Sequence, residues 1–309
     1  MRGRYYISVL DLDRDATLEV LEIAQHYKVE RKAGRRKQDN ILYGKIWAIL
    51  FEKPSLRTRV TFEVAIRELG GETFYLSPND VGLGKREPVK DVARNLERWV
   101  DGVFARVYDH KVFEEFRKYA PNLSVINALS DLEHPCQALA DFQTMIEVSG
   151  DLGFHLVFVG DGNNVANSLM LMSALLGSDF TIACPEGYEP PEGIVNKALE
   201  ISKKTGSQIN ILRDPKEAVS RADFIYTDVW ASMGQEAEAE IRKKVFQPYQ
   251  VNRELLAFAP NHAKIMHCLP AHRGEEITDD IIESDRSLVF TQAENRLHTI
   301  KALLSFLSQ

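Results

Sequence analysis

The sequence predicts an α/β protein of two doubly wound parallel-sheet domains joined by inter-domain helices. Short apolar runs alternate with helix-length amphipathic ones from end to end, the pattern of parallel strands covered by helices. At 309 residues the chain exceeds what one compact core usually holds, so two domains of about 150 residues each are expected. A polar, Gly-rich break, SGDLG at 149–153, separates two halves that each carry the pattern.

In the first half, KIWAILF (45–51), ETFYLS (72–77), DGVFARV (101–107) and LSVINAL (123–129) read as strands. Between the first two, residues 60–69 place Phe62, Ala65, Ile66 and Leu69 at helical spacing, and Gly70 and Gly71 stop the helix. Residues 135–148 are helical in pattern and lead into the break. The second half repeats the theme with FHLVFVG (154–160), FTIACP (180–185), QINILRD (208–214), DFIYTDV (223–229) and KIMHCLP (264–270). Residues 293–307 carry Leu297, Ile300, Leu303, Leu304 and Leu307 on one helical face, which must dock on a core.

Composition narrows the function. Hydrophobic content of 44% and charged content of 27% are those of a globular protein. A formal net charge of −7 argues against a general nucleic-acid binder, so an anionic ligand must be caught locally. Cys136, Cys184 and Cys268 have no paired spacing and suit a reducing compartment, with the cytoplasm the expected location. No apolar run reaches the length of a membrane span, and the N-terminus lacks a signal-peptide pattern.

The local trap for an anion is FEKPSLRTRVTFE, 51–63. Ser55 stands where a helix begins, so its hydroxyl and the free N–H groups of the first turn face one ligand. Arg57 and Thr58 add a guanidinium and a hydroxyl, with Arg59 as neighbour, and the chemistry indicated is a phosphate. The competing reading is that Arg57 and Arg59 pair with Glu52 and Glu63. The glycines and Lys-Ser/Thr pair of a P-loop are absent.

HPCQ (134–137) puts a His and a Gln at a strand-to-helix junction, where side chains reach a cleft at the carboxyl edge of a sheet. HCLPAHRGEE (267–276) gathers His267, Cys268, His272 and Arg273 after another strand, without the paired spacing of a zinc site. FVGDGNNVANS (158–168) is a strand, a Gly turn and a helix start. It fails the dinucleotide fingerprint, because Val165 stands at the third glycine position. Asn163 and Asn164 suit either an amino-acid ligand or helix capping. DVWASMGQE (228–236) is an acidic loop without Lys or Arg.

Taken in this order, these five segments resemble the carbamoyltransferases, the ornithine branch in particular, over nearly the whole chain. The resemblance implies a carbamoyl-phosphate domain over 1–148, completed by a C-terminal helix over 292–309, and an ornithine domain over 149–291. It also implies a homotrimer, or a multiple of trimers, with active sites at subunit boundaries. On it, Ser55, Leu56 through its backbone N–H, Arg57 and Thr58 hold the phosphate. Arg106, His134 and Gln137 address the carbamoyl group, Arg296 reaches the same ligand, and Cys268 and Leu269 lie beside it. Asn164, Asp228, Ser232 and Met233 match the ornithine positions, and Arg106, His134, Asp228 and Cys268 are the catalytic set. Two positions depart from the family pattern. Leu56 replaces a hydroxyl residue, and Gly82 stands where relatives carry a cross-subunit Gln or His, which leaves Lys85 as the substitute.

The implied reaction moves the carbamoyl group of carbamoyl phosphate to the δ-amine of L-ornithine, giving citrulline and phosphate, with no metal or organic cofactor. An alkyl amine is neutral in about one molecule in 10³ at pH 7, a penalty of roughly 4 to 5 kcal/mol. Asp228 and Cys268 are the residues to assist its deprotonation. The acidic 228–236 loop disfavours aspartate as acceptor, and an N-acylated ornithine would leave Asp228 unpaired. N-acylornithine transfer is the alternative enzyme reading, and a non-catalytic nucleotide-binding α/β module the alternative outside catalysis. No nucleic acid or membrane partner is expected.

Overall fold

The computed structural model describes residues 4–36, 40–231 and 236–309. Ten strands lie among these residues, in two all-parallel sheets. They are β1 (Tyr5–Tyr6), β2 (Ile46–Phe51), β3 (Glu72–Leu76), β4 (Gly102–Arg106), β5 (Ser124–Leu129), β6 (His155–Val159), β7 (Asp179–Ala183), β8 (Ile209–Leu212), β9 (Phe224–Thr227) and β10 (Lys264–His267). Nine correspond to the nine apolar runs. The tenth, β1, is two residues long and shows no period in the sequence.

The chain divides into two compact units, Met1–Gln143 with Glu294–Gln309, and Thr144–Ala293. The division falls within the helix Pro135–Ser149, not at the Gly-rich segment that follows it. The helix Val289–Ser308 likewise runs through the second division point.

In the first unit the strand order is β1-β5-β4-β2-β3. One sheet face, with Ala48, Leu50, Val103, Ala105 and Val125, packs on Val92, Leu96, Phe113 and Phe116. On the other, Phe62 of the helix Leu56–Glu68 stacks on Phe104 at 3.9 Å, and Trp47 lies 4.9 Å from the same ring. Burial on both faces explains why these strands read as unbroken apolar runs. Trp47 also makes Gly102 obligatory, since a Cβ there would meet the indole at 2.4 Å. The C-terminal helix buries Ile300, Leu303, Leu304 and Leu307, as its periodicity predicts, and leaves Leu297 half-buried.

The second unit repeats the plan in the order β10-β9-β6-β7-β8. Val157, Val159, Ile225 and Ile265 pack on Val219, Phe246, Leu255 and Ile281. The helix Asn164–Leu176 is buried around nearly its whole circumference, which matches its mostly apolar, charge-free sequence.

Each sheet has one point where the strand order reverses: between β2 and β4 in the first, between β6 and β9 in the second. The loops leaving those strands diverge there and open a crevice at the carboxyl edge. Every motif of the sequence reading that follows one of these four strands therefore lies at a crevice mouth.

Candidate active site

In the first unit, the loop after β2 ends at Ser55, the N-cap of the helix Leu56–Glu68, in extended conformation. Its hydroxyl makes no cap bond, in contrast to Asp13, Asn163 and Asn252, whose side chains each accept from their own helix's first turn. A serine at an N-cap that does not cap leaves its hydroxyl for another partner. Leu56 is 74% exposed and brings only its backbone to this turn. Arg57 is half-buried, and Thr58 is buried and accepts a hydrogen bond from Arg296 Nη2 at 3.0 Å.

Arg59 does follow the surface-pair reading, donating to Glu63 at 2.8 Å and lying 4.0 Å over the Tyr75 ring. Glu52 is engaged elsewhere. Its carboxylate accepts from the Tyr108 N–H at 2.7 Å and its own N–H donates to the Arg106 carbonyl at 2.8 Å. Arg106 ends β4 at a register shift against β5, the kind of irregularity that re-aims a side chain. His134, before the helix Pro135–Ser149, is 4% exposed. Burial foremost, then the charges of Arg296 and Arg106, hold its imidazole well below the usual range, so it is neutral at physiological pH. Thr58, Arg106, His134 and Arg296 thus form one group, although they come from four separate regions of the chain. Gln137 is buried one turn along from His134 and donates to Asp141 at 2.8 Å. Lys85 is exposed on the turn 82–87, where Gly82 has φ 57 and a Cβ would meet Arg86 Cβ at 2.8 Å.

In the second unit, Asn163 caps the helix Asn164–Leu176 with its side-chain oxygen, accepting from Val165 and Ala166 N–H. Its amide nitrogen donates to Asp228 Oδ2 at 2.8 Å. The Cys268 thiol donates to the other oxygen, Oδ1, at 3.0 Å. Asp228, just past β9, is therefore held from both sides by neighbours on β6 and β10 loops, and Asn164 adjoins as the first helical residue. Leu269 has φ 58, and its N–H donates to His267 Nδ1 at 2.8 Å. His267 Nε2 therefore carries the proton and donates to the buried Glu276 at 3.0 Å. Asp228, His267 and Cys268 bring donor atoms within 4.8 Å of one another, but both His267 nitrogens are taken by these bonds. His272 and Arg273 are turned to other partners: Arg273 pairs with Asp279 and Glu283, and His272 is exposed. Ser232 and Met233 lie outside the described residues.

Several residues that support the site carry little or no local signal in the sequence. Arg242 donates to Asp161 and to the Trp230 carbonyl, both at 2.9 Å, tying the Gly turn after β6 to the segment after β9. Glu276 fixes His267, and Asp141 fixes Gln137. Only the last left a sequence signal, a Gln and an Asp four residues apart on a predicted helix.

Comparison with known proteins follows this division. The family described as "Aspartate/ornithine carbamoyltransferase, carbamoyl-P binding domain" matches residues 4–147, and that described as "Aspartate/ornithine carbamoyltransferase, Asp/Orn binding domain" matches residues 152–307. Anabolic ornithine carbamoyltransferase of Pyrococcus furiosus is 51% identical over 306 residues, 99% of this chain and 96% of the relative. The Thermococcus kodakarensis ornithine carbamoyltransferase is 50% identical over 306 residues, with the same shares of each covered. The solved ornithine carbamoyltransferase from P. furiosus superimposes with a TM-score of 0.94, covering 99% of this chain and 97% of that one at 51% identity. That from Thermus thermophilus gives 0.86 at 44% identity, with 99% of each chain covered. The fold and half of all residues are thus shared along nearly the full length, and the chain belongs to the aspartate/ornithine carbamoyltransferase family.

Proposed function

We propose that the protein transfers the carbamoyl group of carbamoyl phosphate to the δ-amine of L-ornithine, releasing citrulline and phosphate. The observation that carries the choice of acceptor is the Asp228 carboxylate, held between Asn163 and the Cys268 thiol at the mouth of the second crevice. An acid so placed suits an acceptor with cationic groups. Aspartate would instead require cations for its two carboxylates, and the 228–236 loop has none. Arg242, the first cation after it, is already committed to Asp161 and the Trp230 carbonyl.

On this reading the phosphate lies against Ser55, the Leu56 and Arg57 amides, Arg57 and Thr58, at the front of a helix that favours anions. Arg296 braces Thr58 and adds its charge. Arg106, neutral His134 and Thr58 donate to the carbamoyl oxygen as it gains negative charge. Keeping His134 neutral makes it a hydrogen-bond donor that leaves the reactant's proton count alone. Asn164, Asp228, Ser232 and Met233 take the ornithine backbone. Asp228 with Cys268 orients the δ-amine and helps its proton away, after which the nitrogen attacks the carbamoyl carbon and the C–O bond to phosphate breaks. The synthetic direction is supported by the anabolic relative. A homotrimer is supported by exposed large apolar side chains at Leu56, Val60 and Phe74, which suit a subunit contact better than water. Three free thiols support a cytoplasmic location.

Incubation with carbamoyl phosphate and, in parallel, ornithine, N-acetylornithine, aspartate and putrescine tests the reading. Citrulline should form and the other acceptors should stay unmodified. Carbamoylation of aspartate or of N-acetylornithine in preference to ornithine would displace it.

A further inference from the structure

Carbamoyl and acetyl groups are nearly equal in size; one ends in N–H donors and the other in a methyl. Telling them apart requires a hydrogen-bond acceptor held toward that end. Gln137 has such an atom, but a primary amide can turn over and present either its two donors or its oxygen. Asp141 removes the ambiguity. It stands one helical turn further along Pro135–Ser149, is 0% exposed, and accepts from Gln137 Nε2 at 2.8 Å. A carboxylate offers only lone pairs, so the amide must meet it through nitrogen. The Gln137 carbonyl is thereby turned away from Asp141. In a side chain 1% exposed, its Oε1 has no hydrogen-bond partner among the described residues. A buried amide oxygen without a donor is costly, and an N–H on a bound ligand would relieve it. Gln137 belongs to the same helix turn as His134, its N–H donating to the His134 carbonyl at 3.0 Å, and His134 in turn stands in the field of Arg296 and Arg106.

We infer that Asp141 is a positioning residue: it fixes the Gln137 amide with its oxygen toward the carbamoyl NH2 and so selects carbamoyl phosphate over acetyl phosphate. The inference rests on the reaction proposed above and adds to it a determinant of donor choice that touches no substrate.

Asp141→Asn tests it, because asparagine keeps the size and offers donor or acceptor alike. The KM for carbamoyl phosphate and the Ki of acetyl phosphate against it define a selectivity ratio, and the Ki of inorganic phosphate reports the phosphate cradle alone. The ratio should fall about tenfold or more in the variant, the loss expected when a buried acceptor is no longer held in place. Phosphate inhibition and melting temperature should stay near those of the wild type, and Asp141→Glu, still acceptor-only, should keep most of the ratio. Asp141→Ser is run beside it, so that poor folding of one variant leaves the other to read. An unchanged ratio in either folded variant overturns the inference, as does a loss matched by an equal loss of phosphate binding. Wild-type protein that makes no citrulline strikes at the proposed reaction instead. Equilibrium competition between carbamoyl and acetyl phosphate then still reads Asp141.

Discussion

At the scale of single residues, the candidate site separates charge from protonation. Arg57, Arg106 and Arg296 supply fixed positive charge, and the field of the last two helps keep His134 neutral in the same place. In the second unit the Cys268 thiol and the Asn163 amide point their donors at one carboxylate, so Asp228 is oriented before any ligand arrives. The turn that holds Gly82 and Lys85 is one of the two places where the chain departs from the pattern its resemblance implies. Gly82 has no side chain to offer, whereas Lys85 stands exposed on the same turn. Its proposed contact with phosphate, a hydrogen bond from a charged donor, is worth about 1.5 to 3 kcal/mol. Lys85→Ala should therefore raise the KM for carbamoyl phosphate about tenfold or more and leave that for ornithine near its starting value. Steady-state kinetics with each substrate varied in turn will show this, and an unchanged carbamoyl phosphate KM removes Lys85 from the site.

At the scale of elements, the C-terminal helix carries Arg296 to Thr58, so whatever seats the helix also places the guanidinium. Its apolar face supplies most of that seating. A buried polar clasp fixes the register: Lys301, fully buried, donates to Glu68 at 2.9 Å, Arg31 pairs with the same carboxylate, and Tyr27 Oη meets Ser305 Oγ at 2.6 Å. Burial foremost, then Arg31, pulls the Lys301 ammonium down to about 8, which still leaves it mostly charged at neutral pH. Removing the acid would strand that charge. Glu68→Gln should lower the unfolding free energy by about 3 kcal/mol, with Lys301→Met costing less because the buried charge goes with the pair. Urea unfolding with an unchanged m-value will measure both, and equal losses would show that the charge is not the source.

For the whole molecule, the buried histidines determine how it meets acid. Burial lowers His134 strongly, His298 to about 4, and the partly buried His110 and His155 to a lesser degree. Unfolded, each would titrate near 6.5. Their contribution is therefore intact above about 6.5 and declines as pH falls, because the unfolded chain takes up protons that the folded one refuses. His298 alone contributes roughly 3 kcal/mol across the window from 6.5 to 4. Asp161 acts with the opposite sign. Its carboxyl is lifted by burial to about 6, so its share is present below about 4 and gone above 6. Two deeply buried histidines outweigh one aspartate, so the urea midpoint should be lower at pH 5 than at pH 7, and His298→Gln should shrink the difference. Equal midpoints at the two pH values would refute this.

What the sequence determined by itself was the part written in local pattern. Nine of the ten strands, the helix after Ser55 and the face of the C-terminal helix were legible because sheets buried on both sides need apolar runs and a docked helix needs a 3.6-residue period. The candidate ligand residues Ser55, Arg57, His134, Asp228 and Cys268 were legible because they end strands or start helices. Their partnerships were not. Thr58 meets Arg296 across 238 positions and Asp228 meets Cys268 across 40, and nothing local links them. Asn163 read as a cap or a ligand residue and is a cap that also grips Asp228, a double role set by β9 lying beside β6. The orientation of Gln137 and the neutrality of His134 were likewise settled by tertiary structure. Hydrogen-bond direction and protonation depend on which groups are buried together, and only the folded chain brings those groups within reach.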